Sequence, residues 1–104
     1  MEYNGVINGD SDILLKQMLD DGIKVDLVLT DPPYNLNKDF GNDSDKLPLK
    51  EFLDISRKRI ALCRDLLKPQ GSIIWFGIHH YIGFIQTIMY EENLYYRRMN
   101  IWYY

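Results

Sequence analysis

The sequence predicts an α/β fold in which a mostly parallel sheet is flanked by helices. Two short apolar runs, 25–30 and 72–77, have the length and the branched residues of buried strands. Between them, apolar residues recur at helical spacing from Pro48 to Leu67. A strand, a crossover helix and a second strand form a right-handed parallel unit. We therefore expect the carboxyl ends of the two strands side by side, at the edge where open α/β sheets bind ligands.

The residues before the first run predict an edge strand and then a helix. Val6 and Ile7 form a short apolar pair that we interpret as the edge strand. The helix begins after Asp10 or Ser11, since either side chain can accept hydrogen bonds from the free amides of a first turn. The helix is expected to end at 20–22, Asp-Asp-Gly. One stripe of this helix contains Ile13, Leu14, Gln17 and Met18, and Leu19 extends it.

The first central strand is followed directly by a rigid polar segment, and the stretch Val25–Tyr34 reads V-D-L-V-L-T-D-P-P-Y. Pro32 and Pro33 have no amide hydrogen, so the ladder of hydrogen bonds stops there. The same prolines stiffen the backbone and leave the carbonyls of Asp31 and Pro32 free to accept. Tyr34 adds a flat aromatic face. A carboxylate, fixed carbonyls and a ring suit a planar ligand that carries an exocyclic amino group.

The second half of the chain supplies the other predicted elements. Residues 35–47 are polar and contain glycine, and loops of this length are often lids or binding loops. Residues 68–71, K-P-Q-G, predict a tight turn. Residues 81–92 predict an amphipathic helix, and the alternation over 94–104 predicts a further strand. The residues of this half that we expect in the core are Trp75, Phe76, Ile82, Ile85, Ile88 and Met89.

The composition indicates one small domain without disulfides. The chain has 104 residues and a formal net charge of -3, so it lacks a global basic signature for nucleic acid. Cys63 is the single cysteine, which favours a reducing compartment and a core role for this side chain. No run approaches the roughly 20 apolar residues of a membrane span, and no signal peptide is recognisable. His79 and His80 lack a third ligand, so no metal site is predicted.

The tetrapeptide Asp31-Pro32-Pro33-Tyr34, after a hydrophobic strand and before Asn35, resembles the catalytic motif of amino-DNA methyltransferases. The K-P-x-G turn and the strand after it are also similar to that family, and the resemblance covers nearly the whole chain. It implies a Rossmann-like domain that transfers a methyl group from S-adenosyl-L-methionine to an exocyclic nitrogen in double-stranded DNA. An Asp at the first motif position is typical of the adenine-N6 enzymes, with cytosine-N4 transfer as the alternative. The implied setting is restriction-modification in the cytoplasm of a bacterial, archaeal or phage-infected cell, away from membranes.

The resemblance also implies roles for individual residues. The catalytic set is Asp31, Pro32, Pro33 and Tyr34. Asp31 and the Pro32 carbonyl would hold the amine of a flipped-out adenine, and Tyr34 would stack on the base. The implied cofactor-binding residues are Asp10, Ser11 and Asp31. The implied DNA-binding residues are Asn35, Lys38 and Phe40.

One part of the family pattern has no match in residues 1–104. The family cradles the methionine part of its cofactor in a glycine-rich loop of the F-x-G-x-G type, and this sequence contains none. In one permuted class, the catalytic half precedes the target-recognition region and the cofactor loop. We therefore expect a single truncated catalytic subdomain that needs a second chain or a missing C-terminal half. The alternative is a catalytically inactive remnant or a subunit that requires a partner chain.

Overall fold

The computed structural model describes residues 3–35 and 46–102 and shows a mixed α/β domain. Strands β1 and β2 pair in parallel, as predicted, and in the described residues they form a two-stranded sheet. None of the described helices combines the length and the apolar character needed to cross a membrane. In chain order the elements are α1 (Ser11–Asp20), β1 (Val25–Thr30), α2 (Leu49–Leu66), β2 (Leu67–Trp75) and α3 (Ile82–Glu91).

Helix α1 begins where the capping residues predicted it. The carboxylate of Asp10 accepts hydrogen bonds from the backbone N–H of Asp12 at 2.9 Å and of Ile13 at 3.4 Å. These bonds satisfy amides that have no partner inside the helix. The helix ends at Asp20, and Gly22 follows with a φ of 76°, a conformation that glycine adopts without strain. Ile13, which the spacing places on the same stripe as Leu14 and Met18, is exposed.

The core lies mainly between α2 and α3. Helix α2 presents one buried stripe, and its central residue Ile60 is completely buried against Ile85 and Ile88 of α3. Trp75 of β2 and Ile82 of α3 pack around this cluster. Helices α2 and α3 are thus confirmed, as are the predicted inward positions of Ile82, Ile85, Ile88 and Met89 in α3. The buried residues of α2 are Phe52, Ser56, Ile60, Cys63 and Leu66.

The K-P-Q-G segment forms a bulge inside β2 and not a turn before it. Val25 pairs with Leu67 and Leu27 pairs with Ser72, so residues 67–72 oppose only residues 25–27. A bulge of this kind leaves the extra residues outside the ladder. Gly71 fits because a Cβ there would lie 3.0 Å from the carbonyl oxygen of Lys68 and 3.2 Å from another backbone oxygen. The predicted tight turn is therefore wrong: β-pairing continues on both sides of the glycine.

Two further strand predictions are wrong for the described residues. Residues 3–10 and 92–102 contain no strand, and 103–104 lie outside the described part of the chain. Val6 is fully exposed, and Tyr95 and Ile101 are 96% and 86% exposed. A strand needs a neighbouring backbone edge for its hydrogen bonds, and an alternating sequence does not provide one. Phe76, predicted for the core, is also exposed.

Candidate functional site

The carboxyl end of the sheet brings the Asp31–Tyr34 motif next to the residues that follow β2. Thr30 pairs with Trp75, and the backbone N–H of Phe76 donates to the carbonyl of Thr30 at 3.0 Å. The parallel pairing thus continues one residue beyond β2. Asp31 and the segment starting at Gly77 leave the sheet from neighbouring positions. The predicted meeting of the two strand ends is confirmed.

The motif forms one wall of a narrow cleft at this edge. The lining contains no lysine, arginine, aspartate or glutamate and is mainly aromatic and apolar. Its free volume is about 10 Å³, close to that of one water molecule, so a planar ring enters only if the walls separate. The lining residues are Pro32, Pro33, Tyr34, Phe52, Ser56, Trp75, Phe76, Gly77, Ile78, Tyr81, Ile82 and Ile85.

Tyr34 and Asp31 are joined directly. The hydroxyl of Tyr34 donates a hydrogen bond to Oδ1 of Asp31. Asp31 is exposed and Tyr34 is half-buried, so the carboxylate lies on the solvent side of the ring. An incoming amine can bind Oδ2, or it can replace the tyrosine hydroxyl at Oδ1. In both cases the Asp31 carboxylate and the Tyr34 ring contact the same ligand.

Asn35 is engaged with backbone rather than presented to solvent. Its Oδ1 accepts from the N–H of Leu47 at 2.7 Å, and its Nδ2 donates to the Leu47 carbonyl at 2.9 Å. The same Nδ2 lies 3.5 Å from the hydroxyl of Tyr81. A DNA contact by Asn35, which the resemblance implies, would compete with these bonds. The other two implied DNA-binding residues, Lys38 and Phe40, lie outside the described residues.

The sequence assigns no site role to Phe52, Ser56 or Tyr81, which also line the cleft. The side chain of Ser56 is only 4% exposed although it is polar. Its spacing offered a signal, since a serine four residues from both Phe52 and Ile60 lies on the buried stripe of the helix. The ring of Tyr81 packs against Phe52 with a centroid distance of 5.0 Å, and His80 contacts the Tyr81 ring edge-on at 4.6 Å. These contacts fix the far wall of the cleft.

Asp10 and Ser11 lie at the beginning of α1, where the Asp10 carboxylate serves as the helix cap. Among the hydrogen bonds and ion pairs of the described residues, none joins Asp10 to Asp31. The acceptors of the motif fit the amine of a base, but residues 1–104 contain no F-x-G-x-G loop for the methionine part of S-adenosyl-L-methionine. We therefore place no cofactor in this cleft. Residues 3–35 and 46–102 also contain no group of three or more His, Cys, Asp or Glu positioned to bind a metal ion.

Comparison with known proteins connects this geometry to one family. A family model described as DNA methylase matches residues 25–104. The type II methyltransferase M.HpaI of Haemophilus parainfluenzae is 38% identical over 81 residues, which cover 77% of this chain and 26% of that protein. M.BglII of Bacillus subtilis is 46% identical over 72 residues, 69% of this chain and 19% of that protein. The DNA adenine methyltransferase YhdJ of Escherichia coli is 36% identical over 72 residues, 69% of this chain and 24% of that protein.

The chain thus spans about a quarter or less of the length of these relatives. The matched region contains β1, the Asp31–Tyr34 motif, α2, β2 and α3. It therefore includes the cleft and both strand ends that form it. On this match, the chain belongs to the DNA methylase family, the N6/N4 amino-DNA methyltransferases that its motif resembles.

Proposed function

We propose that this chain carries the amine-binding part of a DNA methyltransferase that modifies N6 of adenine in double-stranded DNA. The observation that carries the proposal is the Asp31 carboxylate, held by the Tyr34 hydroxyl where β1 ends, beside an uncharged aromatic cleft. The family match supports the reaction class. The choice of adenine is supported by the Asp at the first motif position and by a relative that is named a DNA adenine methyltransferase.

The proposed chemistry follows from two acceptors at one amino group. The carboxylate of Asp31 and the carbonyl of Pro32 accept the two amine hydrogens, which leaves the nitrogen lone pair directed out of the base plane. The negative charge of Asp31 also stabilises the positive charge that develops on this nitrogen during transfer, and the methylated nitrogen then releases one proton to solvent. S-adenosyl-L-methionine supplies the methyl group when bound. The Tyr34 ring stacks on the base, which must leave the duplex because its amine is unreachable inside the stack.

Cytosine N4 is a second candidate target. Its exocyclic amine needs the same two acceptors, so the motif serves either base. The family model that matches residues 25–104 covers both N6 and N4 enzymes, which supports cytosine as the alternative. Mass spectrometry of the modified nucleosides distinguishes the two products.

We also infer that the chain acts together with additional polypeptide, either a second chain or a C-terminal half. The support is that it corresponds to only 26% and 19% of two relatives and that residues 1–104 contain no F-x-G-x-G loop. A catalytically inactive remnant is the alternative. Calorimetric titration of the 104-residue chain with S-adenosyl-L-methionine tests the inference. We expect no detectable binding, whereas micromolar binding that is lost in Asp31→Ala would contradict it.

A chimera tests the catalytic assignment. Residues 25–104 replace the matching region of M.HpaI, and transfer of labelled methyl groups to DNA is measured. Asp31→Ala should reduce the rate at least about 100-fold, the usual effect of removing one preorganised electrostatic contact. Asp26→Ala is the matched control, because this exposed carboxylate lies on β1, the strand that leads to Asp31, and pairs with Lys68 at 3.3 Å. An equal loss of methyl transfer in both variants would show a structural effect and would contradict the catalytic role of Asp31.

A further inference from the structure

Ser56 is the one buried polar side chain among the described residues. It lies on the buried stripe of α2 and is 4% exposed. Helical serine and threonine hydroxyls can bond the carbonyl one turn earlier, as Thr87 does with Gly83 at 3.0 Å. The Ser56 hydroxyl makes no such bond and has no hydrogen-bond partner elsewhere in residues 3–35 and 46–102. Burying a hydroxyl without a partner costs free energy, so this group indicates a ligand.

The Ser56 hydroxyl opens into the cleft of the Asp31–Tyr34 motif. Every fully enclosed side-chain nitrogen or oxygen of the buried and half-buried described residues has a hydrogen-bond partner. The unbonded hydroxyl of Ser56 is therefore not fully enclosed, and the space that it can reach is the cleft that Ser56 lines. Pro32 and Tyr34 line the same cleft. A hydrogen-bond donor thus faces the space beside the two residues to which we assign the amine and the stacked ring.

The other hydroxyls of the cleft are already engaged. The hydroxyl of Tyr34 donates to Asp31, and the hydroxyl of Tyr81 lies 3.5 Å from Nδ2 of Asn35. The lining contains no lysine, arginine, aspartate or glutamate. Ser56 therefore offers an uncharged donor among aromatic rings, which suits the polar edge of a neutral planar ligand.

A flipped-out base brings one acceptor that needs such a donor. In the duplex, the ring nitrogen next to the amino group (N1 of adenine, N3 of cytosine) accepts a hydrogen bond from the pairing base. This bond is lost when the base leaves the stack. Asp31 and the Pro32 carbonyl cannot replace it, because both are acceptors. An unpaired ring nitrogen in an apolar cleft would cost free energy.

We propose that the Ser56 hydroxyl donates a hydrogen bond to the ring nitrogen next to the amino group of the target base. This inference rests on the proposed function, in which Asp31 and the Pro32 carbonyl hold the amine. Adenine and cytosine both carry an unprotonated nitrogen at this place, so the inference holds for either base. The closed cleft has a free volume of about 10 Å³, so the ring reaches Ser56 only after the walls separate.

Base analogues test the contact on the complete 104-residue chain. The probes are 9-methyladenine and its 1-deaza analogue, in which a C–H group replaces the ring nitrogen beside the amine. In an NMR titration we expect 9-methyladenine to shift the Gly77 and Ile78 amides. It should bind about 2- to 10-fold more tightly than the analogue, the range for one neutral hydrogen bond. In Ser56→Ala the two probes should bind equally. Ser72→Ala is the matched control and should keep the preference, because Ser72 is exposed and lies outside the cleft.

The stability of Ser56→Ala separates ligand binding from a structural role. Removing an unbonded hydroxyl leaves no partner unsatisfied, and alanine is the better helix former. We therefore expect the urea midpoint of Ser56→Ala to equal or exceed that of the wild type. A lower midpoint would show that the hydroxyl supports the fold and would overturn its assignment to a ligand.

Three binding outcomes would also overturn the proposal. An unchanged preference for 9-methyladenine in Ser56→Ala would assign the ring nitrogen to another donor. An equal loss of affinity for both probes would show that Ser56 only shapes the cleft wall. If neither probe bound the wild-type chain, the cleft would not be a base site. These readouts are base binding and stability, whereas the role of Asp31 is measured by methyl transfer in the M.HpaI chimera, so the two proposals can fail separately.

Discussion

The side-chain amide of Asn35 bonds both backbone groups of Leu47. Its Oδ1 accepts from the N–H at 2.7 Å, and its Nδ2 donates to the carbonyl at 2.9 Å. Asn35 adopts a φ of 65°, a conformation that asparagine tolerates better than most residues. The pair fixes the end of the Asp31–Tyr34 motif relative to the entry of α2, two residues beyond Leu47. Asn35 thus supports the position of Tyr34 through the backbone.

Removing this amide should destabilise the chain without disturbing the helices. Asn35→Gly tolerates the positive φ but loses both bonds, so we expect about 1–3 kcal/mol lower free energy of unfolding. Asn35→Ala should lose about 1 kcal/mol more, because an alanine is strained in this conformation. Urea unfolding measures both values, and hydrogen exchange at the Leu47 amide should accelerate. Unchanged exchange in the glycine variant would contradict the role of the amide.

The cap of α1 gives a second prediction. Asp10→Ala should lower the free energy of unfolding by about 1 kcal/mol, because the amides of Asp12 and Ile13 lose their acceptor. Asp10→Asn retains a side-chain oxygen and should be close to the wild type. Urea unfolding of the two variants separates capping from charge. If Asp10→Asn lowered the free energy of unfolding as much as Asp10→Ala, the negative charge of Asp10 and not its hydrogen bonds to the first turn would be the source of stability.

The cluster around Ile60 should dominate the stability of the core. Ile60 is completely buried against Ile85 and Ile88, so Ile60→Ala should cost about 2–5 kcal/mol. Ile60→Val should cost about 0.5–1.5 kcal/mol and keeps the experiment measurable if the alanine variant unfolds. Ile101→Ala, at an exposed position, should stay within about 0.5 kcal/mol of the wild type. If Ile60→Ala and Ile101→Ala lowered the free energy of unfolding by similar amounts, the packing of Ile60 described above would be contradicted.

Cys63 makes the stability depend on pH. Burial raises the pKa of its thiol from 9.0 to about 11, and the nearby Asp12 carboxylate adds to the increase. The unfolded chain releases this proton at lower pH, so the contribution to stability is complete below pH 9 and disappears toward pH 11. The difference in unfolding free energy between wild type and Cys63→Ala should therefore decrease over that interval. A difference that stays constant with pH would show that the thiol ionises equally in both states.

The sequence predicted those elements whose signal is local. Strand β1 and helix α2 carry their own periodicity, and the Asp10 cap needs only residues of the first turn. The strand predicted at Val6 and Ile7 depends on a neighbouring edge that no local pattern reveals. The bulge at Gly71 likewise depends on the register between β1 and β2.

The same distinction applies to the candidate site. The Asp31–Tyr34 motif is four consecutive residues and was identified directly from its sequence. Ser56 and Tyr81 join the cleft only because α2 and α3 pack beside the strand ends. The family resemblance implies a DNA contact for Asn35, and the sequence gives no sign of its bonds to Leu47, which lies 12 residues away. Such a contact becomes visible only when the chain has folded.

The central claim is that Asp31 holds an exocyclic amine of DNA for methylation. Its most direct test is mass spectrometry of nucleosides from DNA treated with the M.HpaI chimera that carries residues 25–104, with S-adenosyl-L-methionine as donor. We predict N6-methyladenine with the wild-type residues and with Asp26→Ala, and almost none with Asp31→Ala. Undiminished N6-methyladenine with Asp31→Ala would contradict the role of this carboxylate. If the product were N4-methylcytosine, the assignment of Asp31 as the amine-binding residue would stand, but the target base would be cytosine and not adenine.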